Sequence, residues 1–224
     1  MVTNGTNGTD SEFLYHIKRT ITDYSEDKYG ATRTTDILGT FTDIAAAKSA
    51  ARSSLASEGY VKDDFESYEG NDGAAEWKHG DGVLAYAKAP AGQVFEVRVE
   101  TNPNTLHFKG NADGEVEGFL HYVFQQTIDY SKDPTGASQV TEVEGTYLTR
   151  EAARKAARSA LLDQDVTKQS FAEYDEFDDA RDVNEWPYGE NVYVHAVAET
   201  GENFNVSVKP QPHSHQHHAG KHHD

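Results

Sequence analysis

Histidine and tyrosine change places at matched positions of this chain: His121 falls 106 residues after Tyr15, Tyr122 the same distance after His16, and His195 falls 109 after Tyr86. Imidazole and phenol exchange protons, or hydrogen-bond a ligand, without help from a cofactor. An asymmetric ligand held between two related halves needs unlike residues at like positions, so these six are the candidate ligand-binding residues. A half-exposed strand tolerates either ring, which is the plainer account of the same exchange. A second concentration of imidazoles, His213, His215, His217, His218, His222 and His223, would bind divalent metals weakly, with no packed shell around it.

Other clusters read as structure. DYSEDKYG and DYSKDPTG begin with the Asp-x-Ser-x-Asp spacing of a calcium loop. Gly30 and Gly136 then stand at the eighth position, and Thr34 and Val140 at the twelfth, where that loop requires Gly at the sixth and Glu at the twelfth. Turns built on Asp side chains account for both. The acidic stretches DDFESYEGNDGAAEW and EYDEFDDARDVNEW are expected to be solvated loops, and Trp77, Trp186, Phe65, Phe171, Tyr68 and Tyr174 packing aromatics. There is no G-x-S-x-G, H-E-x-x-H, Walker loop or Rossmann fingerprint and no cysteine, so no cofactor is expected and no catalytic residue can be named.

What must position the six residues is a duplicated unit. The Phe-Leu of Phe13 recurs at Phe119, AAKSAARSSL at AARKAARSAL, and GVLAYAKAPAGQVFEVRV at NVYVHAVAETGENFNVSV. Roughly a third of the aligned positions are identical. In each copy a strand with apolar groups on both sides (13 to 24, 119 to 130) leads to a second (37 to 41, 143 to 147). Asp43 and Thr149 are N-caps for an Ala-rich helix with the stripe Ala47, Ala50, Ala51, Ser54, Leu55, or Ala153, Ala156, Ala157, Ala160, Leu161. An alternating hairpin closes the unit. The expected fold is α+β: a tandem duplication of a β-β-α-β-β unit, antiparallel sheets with one helix per repeat, packed about a pseudo-two-fold axis because each repeat alone buries little. The divisions are a loose N-terminus (1–11), repeat 1 (12–101), a linker (102–118), repeat 2 (119–208) and a loose His-rich tail (209–224).

The net charge is −18, from 20 Lys and Arg against 38 Asp and Glu, which repels nucleic acid and anionic membrane. With no apolar leader or span, the expected address is the cytoplasm. The functional expectation is a soluble, non-enzymatic binding or interaction protein with a small molecule or protein partner at the junction of the repeats. The alternatives are a cofactor-free hydrolase, lyase or isomerase using Tyr, His and a carboxylate there, and a metal-handling or stress-related protein. The enzyme reading gains if His121 and His195 point into one enclosed cleft with a carboxylate in hydrogen-bond reach, and loses if they lie far apart on open strands.

Overall fold

The structure, a computed structural model, describes residues 11–73, 76–178 and 185–212. Repeat 1 contains β1 (Phe13–Asp23), β2 (Arg33–Phe41), α1 (Ile44–Ser57), β3 (Ser67–Gly70), β4 (Val83–Lys88) and β5 (Gln93–Pro103). Repeat 2 contains β6 (His121–Asp129), β7 (Gln139–Tyr147), α2 (Arg150–Ala157), β8 (Glu173–Glu176), β9 (Val192–Val197) and β10 (Glu202–Pro210). All pairings are antiparallel, in two separate five-stranded sheets of the same order, β2-β1-β5-β4-β3 and β7-β6-β10-β9-β8.

The two copies share their irregularities. Leu38 and Glu144 are each an extra residue where β2 and β7 pair with β1 and β6, and Leu84 and Tyr193 are extra on β4 and β9. Such bulges bend and twist the strand that carries them. Gly39 and Gly145 lie beside the first bulge, and the ring of Phe41 or Tyr147 covers each. Between the first two strands, Asp23 Oδ1 accepts from the N–H of Ser25 and of Glu26, as Asp129 Oδ1 does from Ser131 and Lys132. The aspartates thus build turns, and the Ser and Asp spacing is a turn signature.

Asp43 and Thr149 cap their helices by accepting from Ala46 N (2.7 Å) and Ala152 N (3.2 Å). Ala47, Ala51 and Leu55, like Ala153 and Ala157, are fully buried, and their small side chains let the helix lie close on its sheet. α1 ends in a Schellman motif, with Tyr60 N donating to Leu55 O, Gly59 N to Ala56 O, and Gly59 at φ 94°. Copy two has Asp165 at that place. There α2 ends earlier, passing into tighter turns through Ser159 N to Ala156 O and Ala160 N to Ala157 O.

Three features exceed the expected unit. The acidic stretches are not wholly loop, since β3 and β8 extend each sheet by one short polar edge strand. β10 continues through Pro210, into the segment expected to be loose. The linker is anchored along β2, where Val116 N donates to Thr40 O and Thr42 N to Gly114 O. At the centre of that anchor a Cβ on Gly110 would lie 2.3 Å from Thr42 Oγ1 and 2.7 Å from the Gly114 carbonyl oxygen. Gly110→Ala is therefore expected to destabilise the protein by about 1–3 kcal/mol, as overpacking does, in a urea titration. An unchanged midpoint would mean that the linker is not held there.

Candidate functional site at the junction of the repeats

Alternation along β1, β5, β6 and β10 turns one face of each sheet to its helix and the other to the opposite repeat. Leu14, Ile37, Leu120, Tyr122, Phe124 and Val143, with Val116 of the linker, make the core between the sheets. Leu14 and Leu120 are pseudo-equivalent, as are Ile37 and Val143, which places the two-fold axis among them.

At that axis His16 meets its counterpart Tyr122, edge to face with ring centroids 5.7 Å apart, both at 0% exposure. A directed hydrogen-bond chain satisfies the pair. Gln211 Nε2 donates to Leu38 O, which turns Gln211 Oε1 towards the Tyr122 hydroxyl (3.4 Å). With Tyr122 donating there, Thr40 Oγ1 donates to Tyr122 Oη (2.8 Å) and His16 Nδ1 donates to Thr40 (2.9 Å), leaving His16 Nε2 to accept from Thr146 (3.4 Å). Burial, helped by Lys18, lowers the His16 pKa to about 4, and burial raises that of Tyr122. Both are neutral at physiological pH, so the centre of the junction is a closed polar core.

Around it, side chains of each repeat satisfy the outward backbone groups of the other repeat's edge strand. Arg33 Nη2 donates to Ala137 O (2.9 Å), and its counterpart Gln139 donates to Ala31 O (2.8 Å). Asn102 Nδ2 donates to Val143 O (2.6 Å), as Gln211 does to Leu38 O (3.1 Å). Lys18 Nζ reaches Thr141 O (2.7 Å) and Lys209 Nζ reaches the equivalent Thr35 O (3.0 Å). Capped in this way, β2 and β7 offer little edge for a further strand.

A crevice flanks the core on each side. One, of about 400 Å3, lies over β1 and β5 and is lined by Lys18, Arg98, Glu100, Glu142 and Glu144 with neighbouring backbone. Burial first, then Glu142 and Glu100, raises the Glu144 pKa. The other, of about 340 Å3, lies over β6 and β10 and is lined by Arg33, Phe124, Gln126, Glu190, Asn205, Ser207 and Lys209 with neighbouring residues. Its floor carries a second directed chain. Gln139 Nε2 donates to Ala31 O and Gly136 O, Gln126 Nε2 to Gln139 Oε1 (2.7 Å), and Asn205 Nδ2 to Gln126 Oε1 (3.2 Å). Asn205 Oδ1 therefore faces His195 Nδ1 (2.8 Å) as acceptor, which assigns that nitrogen the proton.

The six candidate residues thus separate into three pseudo-symmetric pairs. His16 and Tyr122 come together. Tyr15 is half-buried against the helix-side core of repeat 1, and His121 is buried in repeat 2, where burial and then Arg150 lower its pKa. Tyr86 and His195 lie on the opposite face of their sheets, each stacked on a ring that the periodicity did not single out. His79 stacks on Tyr86 at 3.7 Å between centroids, and Tyr188 stacks on His195 at 3.9 Å. His79 and Tyr188 are themselves counterparts, so the His–Tyr stack is kept while its members trade places. Trp77 and Trp186 meet these rings edge-on; His79 Nε2 lies 3.2 Å from Glu69 Oε2, and Tyr188 Oη donates to Asp175 Oδ2 (2.9 Å). Each lies two residues after its Trp, in WKHG and WPYG, and that matched spacing was the available signal.

His121 and His195 lie on opposite faces of one sheet. Among the described residues, no group of three or more His, Asp or Glu is arranged to hold a metal ion. His213, His215, His217, His218, His222 and His223 lie outside the described residues. No described helix is long and apolar enough to cross a membrane. Comparisons with protein-family models, with curated proteins and with solved structures give no match for this chain.

Proposed function

We propose that the chain is a non-enzymatic binding protein that holds a small molecule in a crevice beside the junction of its repeats. The observation that carries this reading is the contrast between a sealed junction core and two of the crevices beside it. Each crevice is lined by both repeats, and unlike residues stand at pseudo-equivalent positions: Glu100 against Lys209, Arg98 against Ser207, Lys18 against Phe124. Volumes near 340 and 400 Å3 fall at the small end of ligand pockets, which suits a metabolite rather than a protein segment. The separation of His121 from His195 favours binding over acid-base chemistry by these two imidazoles, because they do not converge on one reacting atom.

The test is a thermal-shift screen of the full chain against metabolites, repeated on variants that fill one crevice each: Ser207→Trp over β6 and β10, Val140→Trp over β1 and β5. A ligand at one hundred times its Kd stabilises the folded state by about 2.7 kcal/mol and raises Tm accordingly. The expected result is a ligand whose shift one of the two variants abolishes. A ligand whose shift survives both would place binding elsewhere and overturn the reading.

A further inference from the structure

The two crevices are built alike and charged oppositely. Around the one over β1 and β5, Glu100, Glu142 and Glu144 outnumber Lys18 and Arg98, and Lys18 is paired with Glu100. Around the one over β6 and β10, Arg33 and Lys209 face the single carboxylate Glu190. On a chain with net charge −18, a crevice with more cations than anions is set against the general field.

Among the described residues, neither cation has a carboxylate within hydrogen-bond distance. The Arg33 guanidinium donates to Gly30 O, Ala137 O and Gln139 O, and Lys209 Nζ to Thr35 O; carbonyls orient a cation without cancelling its charge. Lys209 makes one long ion pair, 3.9 Å to Asp36 Oδ1, in a cluster where Arg19 binds both Asp36 Oδ2 and Glu58, so Lys209 is balanced in part and Arg33 is not. The floor adds donors. Gln126 and Asn205 each spend one N–H on the directed chain and keep a second, and Ser207 contributes a hydroxyl. Phe124, beneath Lys209, supplies the one aromatic wall.

We propose, resting on the binding function above, that the crevice over β6 and β10 is a site for a small organic anion, a carboxylate or phosphate ester. Its charged group lies by Lys209, Ser207 and the amides of Gln126 and Asn205, and its apolar part lies against Phe124. The pseudo-equivalent crevice, with Glu100 in place of Lys209, rejects the same molecule by charge.

The experiment is a titration of the uniformly 15N-labelled full chain with benzoate, succinate and phenyl phosphate, and with benzylamine and benzyl alcohol as cationic and neutral counterparts. The expected result is saturable movement of the Gln126, Asn205 and Ser207 backbone resonances with at least one anion, carboxylate or phosphate being told apart by which of them saturates. Ser207→Asp, which adds a charge without removing a structural contact, should weaken that binding about tenfold or more. Lys209→Gln, read alongside it, should weaken it in the same direction. Benzylamine or benzyl alcohol saturating these resonances while the anions do not would overturn the anionic assignment and leave the crevice as a binding site. Silence of these resonances to all five would overturn the anion assignment, and the crevice-filling variants would then decide the binding function separately.

Discussion

Leu120→Ala is expected to lower the unfolding free energy by about 2–5 kcal/mol, the range for removing a fully buried leucine, out of a total of the order of 5–15 kcal/mol. Leu120 is 0% exposed and packs with residues of both repeats, Leu14 and Ile37 from one and Tyr122 and Phe124 from the other. The cavity would therefore open in the core that both repeats share, and unfolding should remain one cooperative transition with an unchanged denaturant slope. Leu148→Ala, at a side chain 62% exposed, should stay within about 0.5 kcal/mol of the parent. Two transitions, only one of them moved by Leu120→Ala, would show that the repeats are independent domains that merely touch.

The duplication, the helix caps, the Asp turns and the hairpins were all legible in the sequence, because each is local and leaves a mark within a few residues. β3 and β8 were not, since SYEG and EYDE carry no apolar alternation and sit inside runs of acid. They exist because β4 and β9 supply a partner edge, Tyr68 against Ala87 and Tyr174 against Ala196. The bulges at Leu38 and Glu144 were equally silent: an extra residue in a strand shows only against the strand it pairs with. Of the candidate site, the trading of His for Tyr was visible and its meaning was not. His16 and Tyr122 are 0% exposed and hydrogen-bonded through Thr40, a contact across 82 residues of chain. Gln126 and Asn205, which floor the crevice, are polar residues in strands with no periodic signature, joined across 79 residues. Lys18 and Lys209 show the same limit from the other side, because the two repeats keep a lysine to reach across the junction but mount it on different strands.

That sealed histidine also dictates how the protein should respond to acid. His16 is neutral in the fold, with a pKa lowered to about 4, against 6.5 in an unfolded chain. Between those values the unfolded state binds a proton that the folded state refuses, so stability is complete above pH 6.5 and falls as the pH descends towards 4. The two and a half units correspond to roughly 3 kcal/mol from this residue. Other groups act in part of this range. His121, lowered by burial, adds to the loss, whereas Glu58 and Glu144, raised chiefly by burial, act in the opposite direction. Asp129, held at about 2 by Ser131 and Lys132, gives up its contribution only below the ordinary Asp range. These groups are common to the parent and to His16→Gln, whose amide can donate to Thr40 and accept from Thr146 without titrating. Urea unfolding at pH 7.0, 6.0, 5.0 and 4.5 should therefore show a pH dependence that is steep in the parent and much flatter in His16→Gln. Parallel curves for the two proteins would mean that His16 takes up its proton inside the fold, and that the junction core admits charge and water.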